Sequence, residues 1–279
     1  MNISILGSGT SHGIPVVGCD CPVCTSKDPF DKRMRSSLLV EGGGVSLVID
    51  TGPEFRLQVI RAGLKKLDAV LLTHPHADHL HGLDDVRPFS HKKAIEVFGN
   101  DATIEELKER FSYIFRITQE GGGKPRLAPK TVTRQFTLGG LTITPIPCKH
   151  GELDILGWYI IESGAKSGAE NNANTPAGRG ILYLTDCSTL PLKSQTLINQ
   201  PEAAIIGGLR EQPHPTHFSF AEALETGIKT GAKKIFLTHL CHNHSHKEIT
   251  RYCAQFKKKT GIKGTKIAPA YDGLQLALY

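Results

Sequence analysis

The sequence predicts an α/β domain, and three observations carry that expectation. The 279 residues are 39% hydrophobic, 6% aromatic and 22% charged, an ordinary globular balance with enough apolar material for a sizeable core. Apolar runs of strand length alternate with stretches in which apolar residues recur at helical spacing. Four of the apolar runs, 69–72, 141–146, 181–185 and 234–237, lead into His or Asp, the arrangement expected where one edge of a sheet gathers a metal centre. Residues 1–279 are read as one domain.

The same composition narrows the function classes. No run approaches the roughly 20 apolar residues needed to cross a bilayer, and Met1 to Gly7 enters a strand pattern at once, so a cytoplasmic protein without membrane contact is expected. The seven cysteines are odd in number and unevenly spaced, which argues against a secreted disulfide framework. The net charge of +6 comes partly from Lys257, Lys258 and Lys259 and reads as a solvated basic tail rather than a nucleic-acid surface.

In chain order, residues 2–6 read as a strand ending in the glycine-rich turn Gly7 to Pro15. No helix pattern follows that turn, which disqualifies it as a nucleotide-phosphate loop and leaves a tight loop near the site. Cys19, Cys21 and Cys24 then fall at i, i+2 and i+5, three thiols suited to a structural zinc that needs a fourth ligand from elsewhere. Residues 37–41 and 45–50 form a hairpin across Gly42-Gly43-Gly44, and a helix is expected from Pro53 to Ala62, proline suiting the first helical position. Asp50 closes a turn or hydrogen-bonds a metal-bound histidine. Further on, the pattern predicts a strand at 95–98, a helix at 104–115, a glycine-rich connector at 121–125 and a hairpin over 132–147 turning at Gly139-Gly140. Strands at 158–161 and 203–206, a surface loop at 163–180, helices at 220–230 and 246–258, and a closing pair of strands complete it. Ser219 with Glu222 has capping-box spacing.

The chemistry concentrates in Thr73-His74-Pro75-His76-Ala77-Asp78-His79-Leu80-His81-Gly82. His74 and His76, two apart in extended backbone after a strand, point the same way and can share one ion, while Asp78 and His79 follow as the chain turns toward a helix, aimed at a neighbouring position. Imidazoles with a carboxylate suit zinc, with manganese or iron next, because calcium and magnesium want mostly oxygen. His150 follows a strand, Asp186 ends another and can bridge two metals with its two oxygens, and His239 ends a third.

With His150, Asp186 and His239 downstream in that order, His-x-His-x-Asp-His resembles the metallo-β-lactamase superfamily of dinuclear metal hydrolases over nearly the whole chain. The resemblance implies an α/β fold of the αβ/βα sandwich type, two mixed β-sheets flanked by helices. It also implies a ligand partition: His74, His76 and His150 on one zinc or manganese ion, Asp78, His79 and His239 on the other, and Asp186 between them. Within the superfamily, Cys19-x-Cys21-x2-Cys24 with His242, three residues after His239, resembles the PhnP-like phosphodiesterases, which implies that His242 completes a structural Cys3His zinc site. The same likeness implies a catalytic role for His217, 22 residues before His239, and for Asp78 as the group orienting the nucleophile. A small phosphodiester substrate is expected, with 5-phosphoribosyl 1,2-cyclic phosphate among the possibilities. Two other readings belong to the same superfamily, a ribonuclease Z-like RNA-processing nuclease and a PqqB-like non-catalytic binding protein. Arg210 and Lys149 are read either as contacts for a substrate phosphate or as merely solvated cations, and His12, His81, His214, His244 and His246 carry no assignment. A homodimer is compatible with the sequence, which does not set the assembly.

Overall fold

A computed structural model describes residues 1–117, 123–162 and 180–278. Among these residues the chain forms two seven-stranded mixed sheets. The first takes β1 (Asn2–Gly7), β2 (Ser37–Gly42), β3 (Val45–Ile49), β4 (Ala69–Leu71), β5 (Ile95–Gly99) and β6 (Leu127–Thr131). The second takes β7 (Phe136–Leu138), β8 (Leu141–His150), β9 (Leu153–Glu162), β10 (Gly180–Leu184), β11 (Ala203–Gly207), β12 (Lys234–Thr238) and β13 (Lys266–Pro269), after which β14 (Gln275–Ala277) returns to pair with β1. Helices α1 (Phe55–Ala62), α2 (Ala77–Leu80), α3 (Asp101–Arg110) and α4 (Ser112–Phe115) accompany the first sheet, and α5 (Leu192–Gln195), α6 (Phe220–Lys229) and α7 (His246–Thr260) the second. The expected sandwich of two mixed sheets flanked by helices is what the chain forms.

Alternation along each strand decides the layering. Ile3 and Ile5 of β1, Leu47 and Ile49 of β3, Ile181 and Tyr183 of β10 and Ile205 of β11 face one another in the core between the sheets. Val48 and Val70 turn outward, against Phe55 and Val59 of α1 and Leu107 of α3. Leu182, Leu184 and Ile206 turn outward against Phe220 and Leu224 of α6 and Ile249 of α7. Strands apolar on both faces are what sheets covered on both sides require. β3 to β6 and β10 to β13 run parallel, so their C-terminal ends share one rim, the place where α/β sheets bind ligands. The outermost strands are β14 and β6 in one sheet and β13 and β7 in the other. β6 contains Pro129, β13 ends at Pro269, and β7 and β14 have three residues each.

Several boundaries differ from expectation. α1 begins at Phe55 rather than Pro53, because the Phe55 amide donates to the Gly52 carbonyl and the chain completes a turn first. The expected helix at 104–115 starts earlier, at Asp101, where the Asn100 side chain accepts from the Thr103 amide, and it breaks at Phe111. The hairpin beyond Gly139-Gly140 is longer than expected, β8 reaching His150 and β9 beginning at Leu153. β6 had no clear signature, since Pro129 and Lys130 interrupt its apolar pattern. The capping box at Ser219 and Glu222 forms as expected, and a second one joins Ser245 to Glu248 at the start of α7. Residues 163–179 of the expected surface loop and 121–122 of the expected connector lie outside the described residues.

Candidate metal centre

Ligand atoms converge at the shared rim in overlapping sets. His74, His76 and His150 bring nitrogens within 4.8 Å of one another, and so do the donor atoms of Asp78, His79, Asp186 and His239; His217 forms a further set with His150 and Asp186. His74 Nε2 lies 3.0 Å from His76 Nδ1. Nitrogens bound tetrahedrally to one ion at ~2.0–2.1 Å would stand about 3.3 Å apart. His79 Nε2 and His239 Nε2 are buried and form no hydrogen bond, although they sit 3.3 and 3.1 Å from Asp186 Oδ1. Buried polar atoms that approach one another closely and yet stay unbonded suit a cation between them.

Hydrogen bonds beneath the cluster select which nitrogen each ring offers. Asp50, fully buried, accepts from the Thr73 amide and hydroxyl at 2.8 Å each and from His79 Nδ1 at 2.7 Å. The Thr73 hydroxyl, its proton given to Asp50, accepts from His74 Nδ1 at 2.9 Å. His150 Nδ1 donates to the Thr216 carbonyl at 2.7 Å. In His74, His79 and His150 Nδ1 is therefore engaged below and Nε2 faces the centre, the usual support of metal-binding imidazoles. Asp50 takes the hydrogen-bonding role the sequence left open. Thr73 and Thr216 were not foreseen; Thr73 sits inside the motif, while nothing local marks Thr216.

Backbone geometry aims three of these side chains. Among the described residues the non-glycine positions with positive φ are Asp50, Asp186, Gln200 and His239, at 62°, 53°, 39° and 55°. Three of the four follow a strand that ends at the rim: Asp50 after β3, Asp186 after β10, His239 after β12. A left-handed residue at a strand end swings its side chain inward over the rim, at a cost of order 1–3 kcal/mol that the surrounding structure must offset. Close packing adds to the constraint, since a Cβ on Gly52 would meet the Asp78 carbonyl oxygen at 2.3 Å.

The charges are consistent with a cationic guest. Burial and the charge of His79 hold the His74 pKa well below the ordinary value, and burial, with the charge of His150, lowers that of His76. Burial would raise the Asp186 pKa, but the charges of His239 and His79 outweigh it and hold it well below the carboxylate range; at Asp78 the balance against burial falls the same way. Conversely His239 rises to about 9, its burial overcome by Asp186, and His79 rises through Asp186, Asp50 and Asp78. The two carboxylates thus favour positive charge at His79 and His239, the place a divalent ion would take. A nitrogen-rich set with carboxylates fits zinc or manganese.

The second cluster is local. Cys19, Cys21 and Cys24 place their sulfurs 3.4, 3.6 and 3.4 Å from His242 Nδ1. Bonds of ~2.3 Å to sulfur and ~2.1 Å to nitrogen at tetrahedral angles separate S from N by about 3.6 Å, so the four donors fit one zinc. Amides of Cys24 and Val16 donate to Cys21 Sγ and Cys24 Sγ. The Cys24 amide brings the Cys21 pKa down to about 6, whereas burial lifts Cys24 to about 11. Beside this cluster the buried Arg33 donates to the carbonyls of Cys241 and His244 at 2.8 and 3.0 Å and pairs with Asp31, which accepts from the His246 amide. The glycine-rich turn adds Thr10 N to Leu240 O at 3.1 Å and Leu240 N to Ser8 O at 2.9 Å. The expectation that this turn lies near the site holds: it is stitched to the segment carrying His239.

His217 stands over both sets. Its ring centroid is 4.6 Å from that of His150 and 5.0 Å from that of His239, and its Nδ1, buried without a hydrogen bond, is 3.9 Å from Asp186 Oδ2. Burial, with the charge of His239, lowers its pKa to about 3, so the ring is neutral. Of the residues without an assigned role, His214 lies 5.0 Å from His217, centroid to centroid, and Lys149 is held by Asp154 at 2.8 Å.

A two-sheet sandwich with the His/Asp rim defines a class, and the Beta-lactamase superfamily domain matches residues 46–240. The chain belongs to the metallo-β-lactamase superfamily. It is 35% identical over 278 residues to an octanoyltransferase of Porphyromonas gingivalis, a match spanning 99% of this chain and 51% of that protein, so the chain corresponds to about half the length of that relative. A ribonuclease Z of Mycobacterium sp. (strain KMS) is 31% identical over 251 residues, 81% of this chain and 83% of that one. Among solved structures, a diphosphatase of the PhnP family superposes with a TM-score of 0.82 at 34% identity, covering 100% of this chain and 98% of that one.

Proposed function

We propose that the protein is a metal-dependent phosphodiesterase acting on cyclic or other small phosphodiesters, with 5-phosphoribosyl 1,2-cyclic phosphate as a candidate substrate. The observation that carries the reading is His217, a neutral imidazole with an unbonded buried nitrogen, lying against members of both donor sets. The likeness to a PhnP-family diphosphatase supports the same chemistry.

In this reading His74, His76 and His150 hold one ion, Asp78, His79 and His239 the other, Asp186 spans the two, and Cys19, Cys21, Cys24 and His242 hold a structural zinc. Two divalent ions there would make water acidic enough to attack near neutral pH and would neutralise phosphoryl charge. Asp78, ionised throughout the physiological range, accepts a hydrogen bond from the attacking water and fixes its direction. His217, a neutral imidazole, donates a hydrogen bond from its ring N–H to a phosphoryl or leaving oxygen, a contribution of ~10²- to 10³-fold. The intact donor set favours an enzyme over a PqqB-like binding protein, and no protruding arm for gripping RNA is present among the described residues, which favours small diesters over a ribonuclease Z-like role.

The test is hydrolysis of bis(p-nitrophenyl) phosphate and 2′,3′-cyclic nucleotides by metal-loaded protein beside His217→Ala and Asp78→Ala. Turnover by the wild type, reduced by roughly 10²-fold or more in each variant, supports the proposal. A fully metallated wild type that turns over no diester removes it.

A further inference from the structure

The end of the first sheet opposite the metal centre carries a trench that the proposed reaction does not use. Two cavities of about 380 and 550 Å³ adjoin there, with Lys65, Pro88 and Phe89 lining both. One wall is α1 with the turn that follows it, and the other is the 3-10 segment Leu83–Phe89 together with residues 91–95. Lys65 to Asp68 precede β4 and Lys92 to Ala94 precede β5, so the trench lies where these strands begin, whereas the histidines gather where strands end.

The lining is apolar and the margin basic. Val59, Leu67 and Ile95 are buried, Leu64 and Phe89 half-buried, and Ile60 keeps 62% of its surface exposed. Leu57, three residues before Ile60 on α1 and so on the same side of the helix, is 50% exposed and lengthens the apolar strip. Apolar side chains gathered in a concavity, rather than scattered singly, mark a binding surface. Arg56 stands in the smaller cavity, Lys65 at the junction, and Lys92 and Lys93 in the larger; among the described residues these four form no ion pair. Lys66 beside them is held by Asp68 at 3.0 Å, and Asp85 is the remaining carboxylate on the trench. Unpaired cations therefore run the length of an apolar floor with a single acid against them.

We propose that this trench is a docking groove for an acidic amphipathic helix of a partner protein, its apolar side chains set against Ile60, Leu64 and Phe89 and its carboxylates against Arg56, Lys65, Lys92 and Lys93. Charge complementarity selects the occupant, since cations spaced along a groove are matched by anions spaced along a chain. A peptide added as a strand does not fit, because β3, β4 and β5 are each paired on both sides within the sheet. One fatty acid would bring a single carboxylate to four cations, and Phe89 alone makes a poor platform for stacked bases. The groove is separate from the phosphodiesterase reading and stands without it.

The experiment selects displayed random peptides of ~15 residues, long enough to turn helical once docked, on the metal-loaded full chain, with counter-selection on a Lys65→Glu/Lys92→Glu double variant. Both lysines are exposed and unpaired, so the variant should fold and keep whatever diester hydrolysis the wild type shows. Enriched peptides are expected to be rich in Asp and Glu, with apolar residues at i, i+3 or i+4, and i+7. By fluorescence anisotropy the double variant should bind them about 10- to 100-fold more weakly, and Ile60→Ser about 10-fold more weakly. Affinity should fall as salt rises. Exchanging the peptide's acids for lysines should restore binding to the double variant and abolish it in wild type, a swap that damage to the fold could not produce. Enriched peptides without an acidic bias, or equal binding by wild type and double variant, overturn the proposal. Phosphatidylglycerol vesicles and a single-stranded DNA oligonucleotide are titrated alongside, and lysine-dependent binding of either without any selected acidic peptide overturns it in favour of lipid or nucleic acid.

Discussion

The two donor clusters are built on opposite plans. The His/Asp cluster draws on four separate segments, each delivered by a strand end, with His217 added from the loop before α6, and its rings are locked from beneath by Asp50, Thr73 and Thr216. The cysteine cluster takes three of four ligands from one six-residue stretch of loop, and its support is loop backbone together with Arg33. In the first the fold organises the ligands; in the second bound zinc would organise the loop. The difference sets what each site should lose when disturbed.

Asp50→Asn should have the largest effect. Asparagine tolerates the left-handed backbone at this position, so the turn survives, but a carboxylate acceptor for both His79 and Thr73 is lost. Metal held by the His/Asp cluster is expected to weaken by ~10- to 100-fold in a chelator titration followed by elemental analysis, while about one zinc per chain stays with the cysteine site. Simultaneous loss of all metal would contradict the independence of the two plans.

The converse change, Cys24→Ser, should remove one zinc per chain and lower Tm by about 5–10 °C, because zinc affinity at a loop site is folding free energy. Cleavage by trypsin at Lys27 or Lys32 should become faster. Diester turnover should fall less than in His217→Ala, the damage reaching His239 only through the Ser8, Thr10 and Arg33 contacts. Unchanged proteolysis and Tm would show that the loop is held without zinc.

The smallest effect is a pH profile that separates proton-filled from metal-filled forms of the His/Asp cluster. In EDTA-treated protein His239 has a folded pKa of about 9 against ~6.5 unfolded, so its contribution is complete below pH ~6.5 and is lost as pH rises through about 9. His79, also raised, acts in the same direction. His74, His76 and His217 are lowered, and their contribution is lost as pH falls below ~6.5, for His217 down to about 3. Tm of the EDTA-treated protein is therefore expected to peak near pH ~6.5 and decline to either side, and restoring metal should remove the alkaline decline. A flat curve between pH 6.5 and 9.5 in EDTA would argue against proton substitution.

The contrast also explains what the sequence could reveal. Strand-end ligands were legible because an apolar run fixes a strand and histidines directly after it have few other reasons to cluster. His242 was reached only through resemblance, since nothing in the spacing from Cys24 to His242 predicts their meeting. The positive φ of Asp50, Asp186 and His239 was hidden because Asp and His adopt that conformation only when surroundings impose it. β6 escaped notice for a different reason, its Pro129 being tolerable because the strand lies at the margin of its sheet.

That margin bears on solubility. Each sheet has two open sides, and all four are poor templates for another chain: proline takes an amide from β6 and from β13, and β7 and β14 offer only three residues each. A strand from a second molecule would find no long uninterrupted ladder to extend, which guards the two sheets of the described residues against the edge-to-edge aggregation to which open sheets are prone.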